Sequence, residues 1–227
     1  MAEESPLDRF KQALTGAARA IARDAEVEVA WSADVPGAAG NRFRVPLPGR
    51  DLPAEQVTEA RGFADSFALK LRHHDAGLHA GSAPPEPIAR ACYDAIEQVR
   101  YEAIGANRFE GIRDNLDAAT ELRMSSDSII RAYNAAEVPL QTALALMVRE
   151  ALTGEPVPER AERGVSLVRS DIEQKIGGDL AALIDKLDDQ KAFQKIALDM
   201  LRDLDLTQPS ETPDESDQDD SDEDDGQ

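Results

Sequence analysis

The chain has three histidines, His73, His74 and His79, and all of them fall in one stretch, RGFADSFALKLRHHDAGLH, from Arg61 to His79. Imidazoles beside carboxylates are the groups that shuttle protons and ligate metals near neutral pH. Asp75 and His79 stand at i,i+4, one helical turn apart, so the Asp75 carboxylate is within reach of the His79 ring. It would orient that ring and fix its tautomer, as the outer partner of a metal ligand or of a general base does. His74 and His79 stand at i,i+5, and an unbroken helix points them about 140° apart. Gripping one ion together therefore requires the helix to end near Gly77. Glu97 or Glu102 from the following helix would complete such a site, which gives His74, Asp75, His79 and Glu97 as the candidate metal ligands; no catalytic or cofactor-binding residue stands out. The plainer alternative is a core histidine at 74, satisfied by a backbone carbonyl. Asp75 and His79 would then be an exposed ion pair at a helix end, worth only a few tenths of a kcal/mol.

The element that positions these groups reads as an amphipathic helix. At about 100° per residue, Phe63, Phe67, Leu71, His74 and Leu78 share one arc and Asp65, Arg72, Asp75 and His79 the opposite one. The first is expected to be core, the second to be charged and to show its salt-bridging groups to a neighbouring element. Pro53 can start this helix, Gly62 weakens it, and the end is expected between Gly77 and Gly81. Before it, residues 5–23 predict a helix opened by Ser5 and Pro6 and striped by Phe10, Leu14, Ala17 and Ile21. The period then shortens to two: Val27, Val29 and Trp31, and again Phe43, Val45 and Leu47, flank the Pro36, Gly37 and Gly40 turn material. That is the pattern of a short two-stranded hairpin, with Pro46 and Pro48 confining its second strand to an edge.

Beyond Pro84, Pro85 and Pro87 a helix is expected whose inner stripe is Ile88, Cys92, Ile96, Val99 and Ala103. Its polar edge holds Arg90, Asp94, Glu97 and Tyr101. A shorter helix over 107–123 follows, with less regular spacing. Pro139 then fits the first turn of a helix closed by Gly154 and Pro156. Val165, Val168, Ile172 and Ile176 make another, stopped by Gly177 and Gly178. Leu180, Leu183, Ile184 and Leu187 continue the apolar count, and Phe193, Ile196, Met200, Leu201 and Leu204 form the last stripe. The fold class is thus mainly α: a multi-helix domain over 1–206 with a small β-hairpin near its N-terminus, followed by an acidic tail over 207–227. The tail's one-signed charge and low hydrophobicity predict disorder, because it cannot recover the entropy that ordering costs.

Charge excludes several functions. The net charge is −20; the last 25 residues, from Asp203, hold twelve of the 45 acidic residues and no basic one, which leaves 33 acids against 25 bases before them. A chain this acidic without a basic tract is a poor match for nucleic acid or for an anionic membrane. Any charge-steered partner should be basic, or a cation. The single cysteine, Cys92, excludes an internal disulfide and reads as a buried thiol in a reducing compartment. The acidic start, MAEESPLDRF, lacks the layout of a secretory signal, and no apolar run reaches the roughly 18 residues of a membrane span, so a soluble cytoplasmic protein is expected. The P-loop, H-E-x-x-H, C-x-x-C and G-x-S-x-G patterns are all missing from the sequence.

The same central residues resemble a known family, the CobT subunit of the aerobic, ATP-dependent cobaltochelatase. The likeness runs through DAEVEVAW (Asp24 to Trp31), RGFADSFALKLRHHDAGLHA (Arg61 to Ala80), YDAIEQVRYEAIGANRFEGIRDNL (Tyr93 to Leu116) and LALMVREALTG (Leu144 to Gly154), and the acidic run resembles the family's interdomain linker. VRSDI (Val168 to Ile172) departs from the family's pattern, which is richer there in tryptophan and proline. The resemblance implies the N-terminal portion of such a subunit, without the von Willebrand A-type domain and its metal-ion adhesion site that follow the linker in the family. It also implies a hetero-oligomeric ring assembly with a CobS-like AAA+ ATPase, which would carry ATP and magnesium. A CobN-like large subunit would insert cobalt, a substrate of the complex, into hydrogenobyrinic acid a,c-diamide on the way to cobalamin, a metal-inserting ligase reaction. A corrinoid bearing several carboxylates would be repelled by this chain. The expected role is therefore a helical docking module, not catalytic by itself. The alternative, from a different class, is a small metal-dependent enzyme built on His74, Asp75, His79 and Glu97. Convergence of both histidines with a carboxylate in a cleft, within metal-ligand distance, favours the alternative; burial of His74 among Phe63, Phe67 and Leu71 favours the docking module.

Overall fold

Ser5 opens the first helix with its side chain: in the computed structural model, which describes residues 5–207, its hydroxyl accepts the Asp8 N–H at 3.2 Å and α1 (Pro6–Ala22) follows. Phe10, Leu14, Ala18 and Ala22 are the buried stripe of α1. The strands are β1 (Glu28–Ser32), β2 (Gly37–Ala39) and β3 (Arg42–Pro46), in the order β1-β3-β2. Here the sequence reading needs correction. The two strands that alternation locates pair in parallel, Val29 opposite Phe43 and Trp31 opposite Val45, and do not form the expected hairpin with each other. The hairpin is made by β2 and β3, which pair antiparallel across Gly40 at φ 57°. β2 is Gly-Ala-Ala, too short and too small in side chain to leave a period-two signal. β3 is consequently central, not an edge strand. Pro46 is tolerated because it is the last residue of β3, beyond the register of β2.

Phe43 and Val45 face α1 and α2 (Ala54–His73), and with Val27, Phe10, Leu14, Ala60, Ala64 and Ala68 they form one buried cluster. Phe67 rests on Phe43 and Phe63, with ring centroids 5.8 and 5.9 Å away. The opposite side of α2 is buried as well, its groups turned to neighbouring helices: Asp65 is 3 % exposed and Ser66 7 %. That side packs on α5 (Glu110–Met124) and α4 (Pro87–Ala106), where Leu69, Tyr101, Ile112 and Leu116 form a second cluster. Gly62 is what allows the approach, since a Cβ there would stand 2.3 Å from Ala119 Cβ and 2.9 Å from the Asn115 carbonyl oxygen. It is a packing glycine more than a weak point.

The largest cluster joins α4 to α6 (Leu140–Thr153), α7 (Glu159–Ile184) and α8 (Gln190–Asp203), with Ile129 of a 3-10 turn (Ser128–Arg131) inserted. Gly154 ends α6 in the left-handed conformation, φ 75°, as its position predicts. Gly177 and Gly178 do not stop α7, which runs on to Ile184. Burying Ile176, Leu180 and Leu183 on one face outweighs the cost of about 1 kcal/mol per helical glycine. Ile88, placed on the inner stripe of α4 by spacing, is instead 59 % exposed in the first turn. Among the described residues no helix is long and apolar enough to cross a membrane. Leu204 and Leu206 still pack on the core after α8, and the expectation about the acidic tail lies outside the described residues beyond Thr207.

Candidate functional site

The site is made by a break in the helix. α2 stops at His73, four residues earlier than Gly77. His74, at φ −115° and ψ 119°, and Asp75, at φ −90° and ψ 108°, are extended before the seven-residue α3 (Ala76–Ser82). Asp75 causes the restart. Its carboxylate accepts the Leu78 N–H at 2.9 Å and caps α3, which places His79 in the last turn of a differently directed helix. The break is clamped from α8. Gln190 accepts the Asp75 N–H through Oε1 at 2.8 Å and donates Nε2 to the Asp75 carbonyl at 3.0 Å, pairing with the backbone as a strand would.

With the helix broken, His74 and His79 no longer diverge. Their ring centroids lie 4.9 Å apart, edge to face. One ligand atom each from His74, His79 and Glu97 fall within 4.8 Å of one another. His74 Nδ1 is 2.7 Å from Glu97 Oε1, the carboxylate accepting. His79 Nε2 is 2.8 Å from Asp94 Oδ1, and its ring stacks on Tyr93 at 4.5 Å. Side-chain exposure is 9 % for His74, 3 % for Glu97 and 13 % for His79, so the cluster is almost wholly withdrawn from water.

The fold brings His74, His79 and Glu97 together. Asp75 does not join them: the i,i+4 argument assumed a continuous helix, and once the chain breaks the carboxylate is spent on the cap, leaving Asp94 as the acid on His79. Glu102 is also elsewhere, accepting from Ser66 Oγ at 2.6 Å and Gln98 Nε2 at 2.9 Å. His74 faces Tyr101 and His79, not the Phe63, Phe67 and Leu71 side of α2. His73 lies outside the cluster, and burial, then the charges of Arg72, Arg108 and Arg100, lower its pKa to about 4, so it is a neutral ring.

Arg100 is the residue that sequence reasoning missed. It is 1 % exposed and forks onto Glu97, Nε to Oε2 and Nη2 to Oε1, both at 2.8 Å. The same guanidinium donates to the carbonyls of His73 and, at 3.1 Å, Leu187, tying the end of α2 to the α7–α8 connection. Burial alone would raise the Glu97 pKa; the Arg100 fork and the His74 hydrogen bond outweigh it and hold the carboxylate below its usual range. A signal was present in the i,i+3 spacing of Glu97 and Arg100, but that spacing is common on exposed helices and carries no mark of burial. Gln194 of α8 was likewise unreadable. It is 2 % exposed, its Nε2 stands 3.3 Å from His79 Nδ1, and its Oε1 has no hydrogen-bond partner among the described residues.

Cys92 is fully buried one turn from Ile96, and burial pushes its thiol up to about 11, which removes it as a nucleophile. Chemically, the cluster offers two imidazoles and a carboxylate whose charge an internal arginine compensates. It is better suited to holding something in place than to moving protons to a substrate. No solved structure matches the chain. The family model described as cobalamin biosynthesis protein CobT matches residues 4–227. With nearly its whole length matched, the chain belongs to the CobT family, and that membership implies a role in cobalamin biosynthesis.

Proposed function

We propose that this chain is the helical assembly module of a cobaltochelatase subunit, supporting ATP-dependent insertion of cobalt into hydrogenobyrinic acid a,c-diamide in the cytoplasm. ATP and magnesium belong to a CobS-like AAA+ ATPase in this reading, and metal insertion, a ligase-class reaction, to a CobN-like large subunit. The family match over 4–227 carries the proposal. Electrostatics supports the division of labour. The chain is at −20, and in two of its clefts the lining arginines are answered by carboxylates: Arg149 by Asp117, Arg169 by Glu150 and Glu173, Arg123 by Glu102. A polycarboxylate corrinoid finds no uncompensated basic surface in those clefts.

Convergence of His74, His79 and Glu97 favours a second reading, a small metal-dependent enzyme. Against it stand the near-complete burial of both rings and the commitment of Glu97 to Arg100, which suit a held ion better than a turning-over substrate. Co-purification with the CobS-like subunit, with and without residues 207–227, followed by cobalt insertion in the reconstituted complex, tests the proposal. Stable association and dependence of insertion on all three subunits are expected. Cobalt insertion by the isolated 227-residue chain would overturn the assignment, and so would failure to bind either partner.

A further inference from the structure

We infer that His74, His79 and Glu97 bind one divalent transition-metal ion of the zinc or cobalt kind as a structural pin between α2, α3, α4 and α8. This site goes beyond the assembly role and does not rest on it. Two imidazoles and one carboxylate are a ligand set that suits zinc and cobalt, whereas calcium and magnesium require oxygen donors. The three ligands come from three separate places, the extended break, α3 and α4, so their approach within 4.8 Å is a product of the fold and not of sequence proximity. Two of them are also held from behind. Asp94 faces Nε2 of His79, which leaves Nδ1 as the ligating nitrogen, and Arg100 fixes both oxygens of Glu97.

The independent observation is Gln194. Its carbonyl oxygen is buried without a partner among the described residues, while its amide nitrogen lies 3.3 Å from His79 Nδ1. A water on the bound ion would donate to that oxygen and satisfy it. Binding requires His74 Nδ1 and Glu97 Oε1 to part from their 2.7 Å hydrogen bond, the Gln194 amide to turn its Nε2 away from His79 Nδ1, and the widest ligand pair to draw in, until neighbouring ligands stand about 3.3 Å apart, as tetrahedral bonds of 2.0–2.1 Å demand. The proton that His74 shares with Glu97 moves to Nε2 as Nδ1 becomes the ligand. Arg100 opposes the ion, but Glu97 and Asp94 supply two negative charges beside it in a chain of net −20.

The test is calorimetric titration of the chelator-stripped full chain with zinc chloride, cobalt chloride and calcium chloride at 0.15 M salt, with cobalt absorbance in the visible as a direct reading of ligand geometry. One equivalent of zinc or cobalt is expected to bind and to raise Tm, with no competition from calcium. His79→Ala and His74→Ala should each weaken binding at least 100-fold, and Asp94→Asn by about 10–100-fold. All three keep the Glu97–Arg100 pair, so their urea midpoints without metal check that they fold. If His74→Ala fails to fold, His79→Ala, which changes a residue of short α3, still decides. No binding by the wild type overturns the inference. So does binding that persists in the His74→Ala/His79→Ala double variant or is displaced by calcium, which assigns the ion to the acidic tail.

Discussion

Asp65 allows a quantitative test of how the two halves of the molecule meet. Its carboxylate, 3 % exposed between α2 and α5, accepts a hydrogen bond from Asn115 Nδ2 at 2.8 Å. Burial raises its pKa from 3.8 to about 6, the Asn115 hydrogen bond and the charge of Arg61 opposing without prevailing. An acid whose pKa is raised by folding destabilises the fold wherever it is ionised. Below pH 3.8 it is protonated in both states and contributes nothing. Between 3.8 and about 6 the unfolded chain gives up the proton that the folded one keeps, so stability falls as pH rises; above about 6 the loss levels off. The gap between 3.8 and about 6, at 1.36 kcal/mol per pH unit, corresponds to about 3 kcal/mol. Asp65→Asn keeps the shape and the acceptor for Asn115 but cannot ionise. Any fixed cost of the new amide is the same at every pH and drops out of the comparison. Urea denaturation at intervals from pH 4 to pH 8 should therefore show the variant gaining about 2.5 kcal/mol on the wild type across that range, most of it before pH 6.5. A difference between the two proteins that stays flat with pH would refute the burial of this carboxylate and the α2–α5 packing with it.

Replacing Arg100 by Met strands the Glu97 charge and the His73 and Leu187 carbonyls, and should cost about 3–5 kcal/mol in the same urea assay, with part recovered by adding Glu97→Gln. Gly62→Ala should destabilise by about 1–3 kcal/mol, because its Cβ would meet Ala119 and the Asn115 carbonyl. Gly177→Ala, with nothing within 4 Å of its Cβ inside α7, should stabilise by about 0.4–1 kcal/mol; opposite signs in thermal melts are the expected pattern. Cys92 should resist a thiol-specific chromogenic reagent in the native protein and react on unfolding, and fast native labelling would contradict its complete burial.

What the sequence determined alone is whatever is decided within one segment. Ser5 with Pro6 and Pro87 at helix starts, Gly154 at a helix end, the period-two runs around Val29 and Phe43, and the apolar stripe of α8 all express local backbone and burial preferences, and each element stands close to where they put it. The approach of His74 to His79 was also legible, conditional on a helix end that Gly77 hinted at and Asp75 delivered earlier, with Glu97 one of two carboxylates left open. Tertiary structure decided everything that depends on comparing energies across segments. The parallel pairing of β1 with β3 places Phe43 and Val45 against α1 and α2, which no inspection of either strand reveals. α7 passes through Gly177 and Gly178 because burying Leu180 and Leu183 is worth more than two glycines cost. Asp94 replaced Asp75 as the partner of His79, and Arg100 became a buried clamp, because a charged side chain's partner is chosen by which groups the packed core leaves it after water is removed.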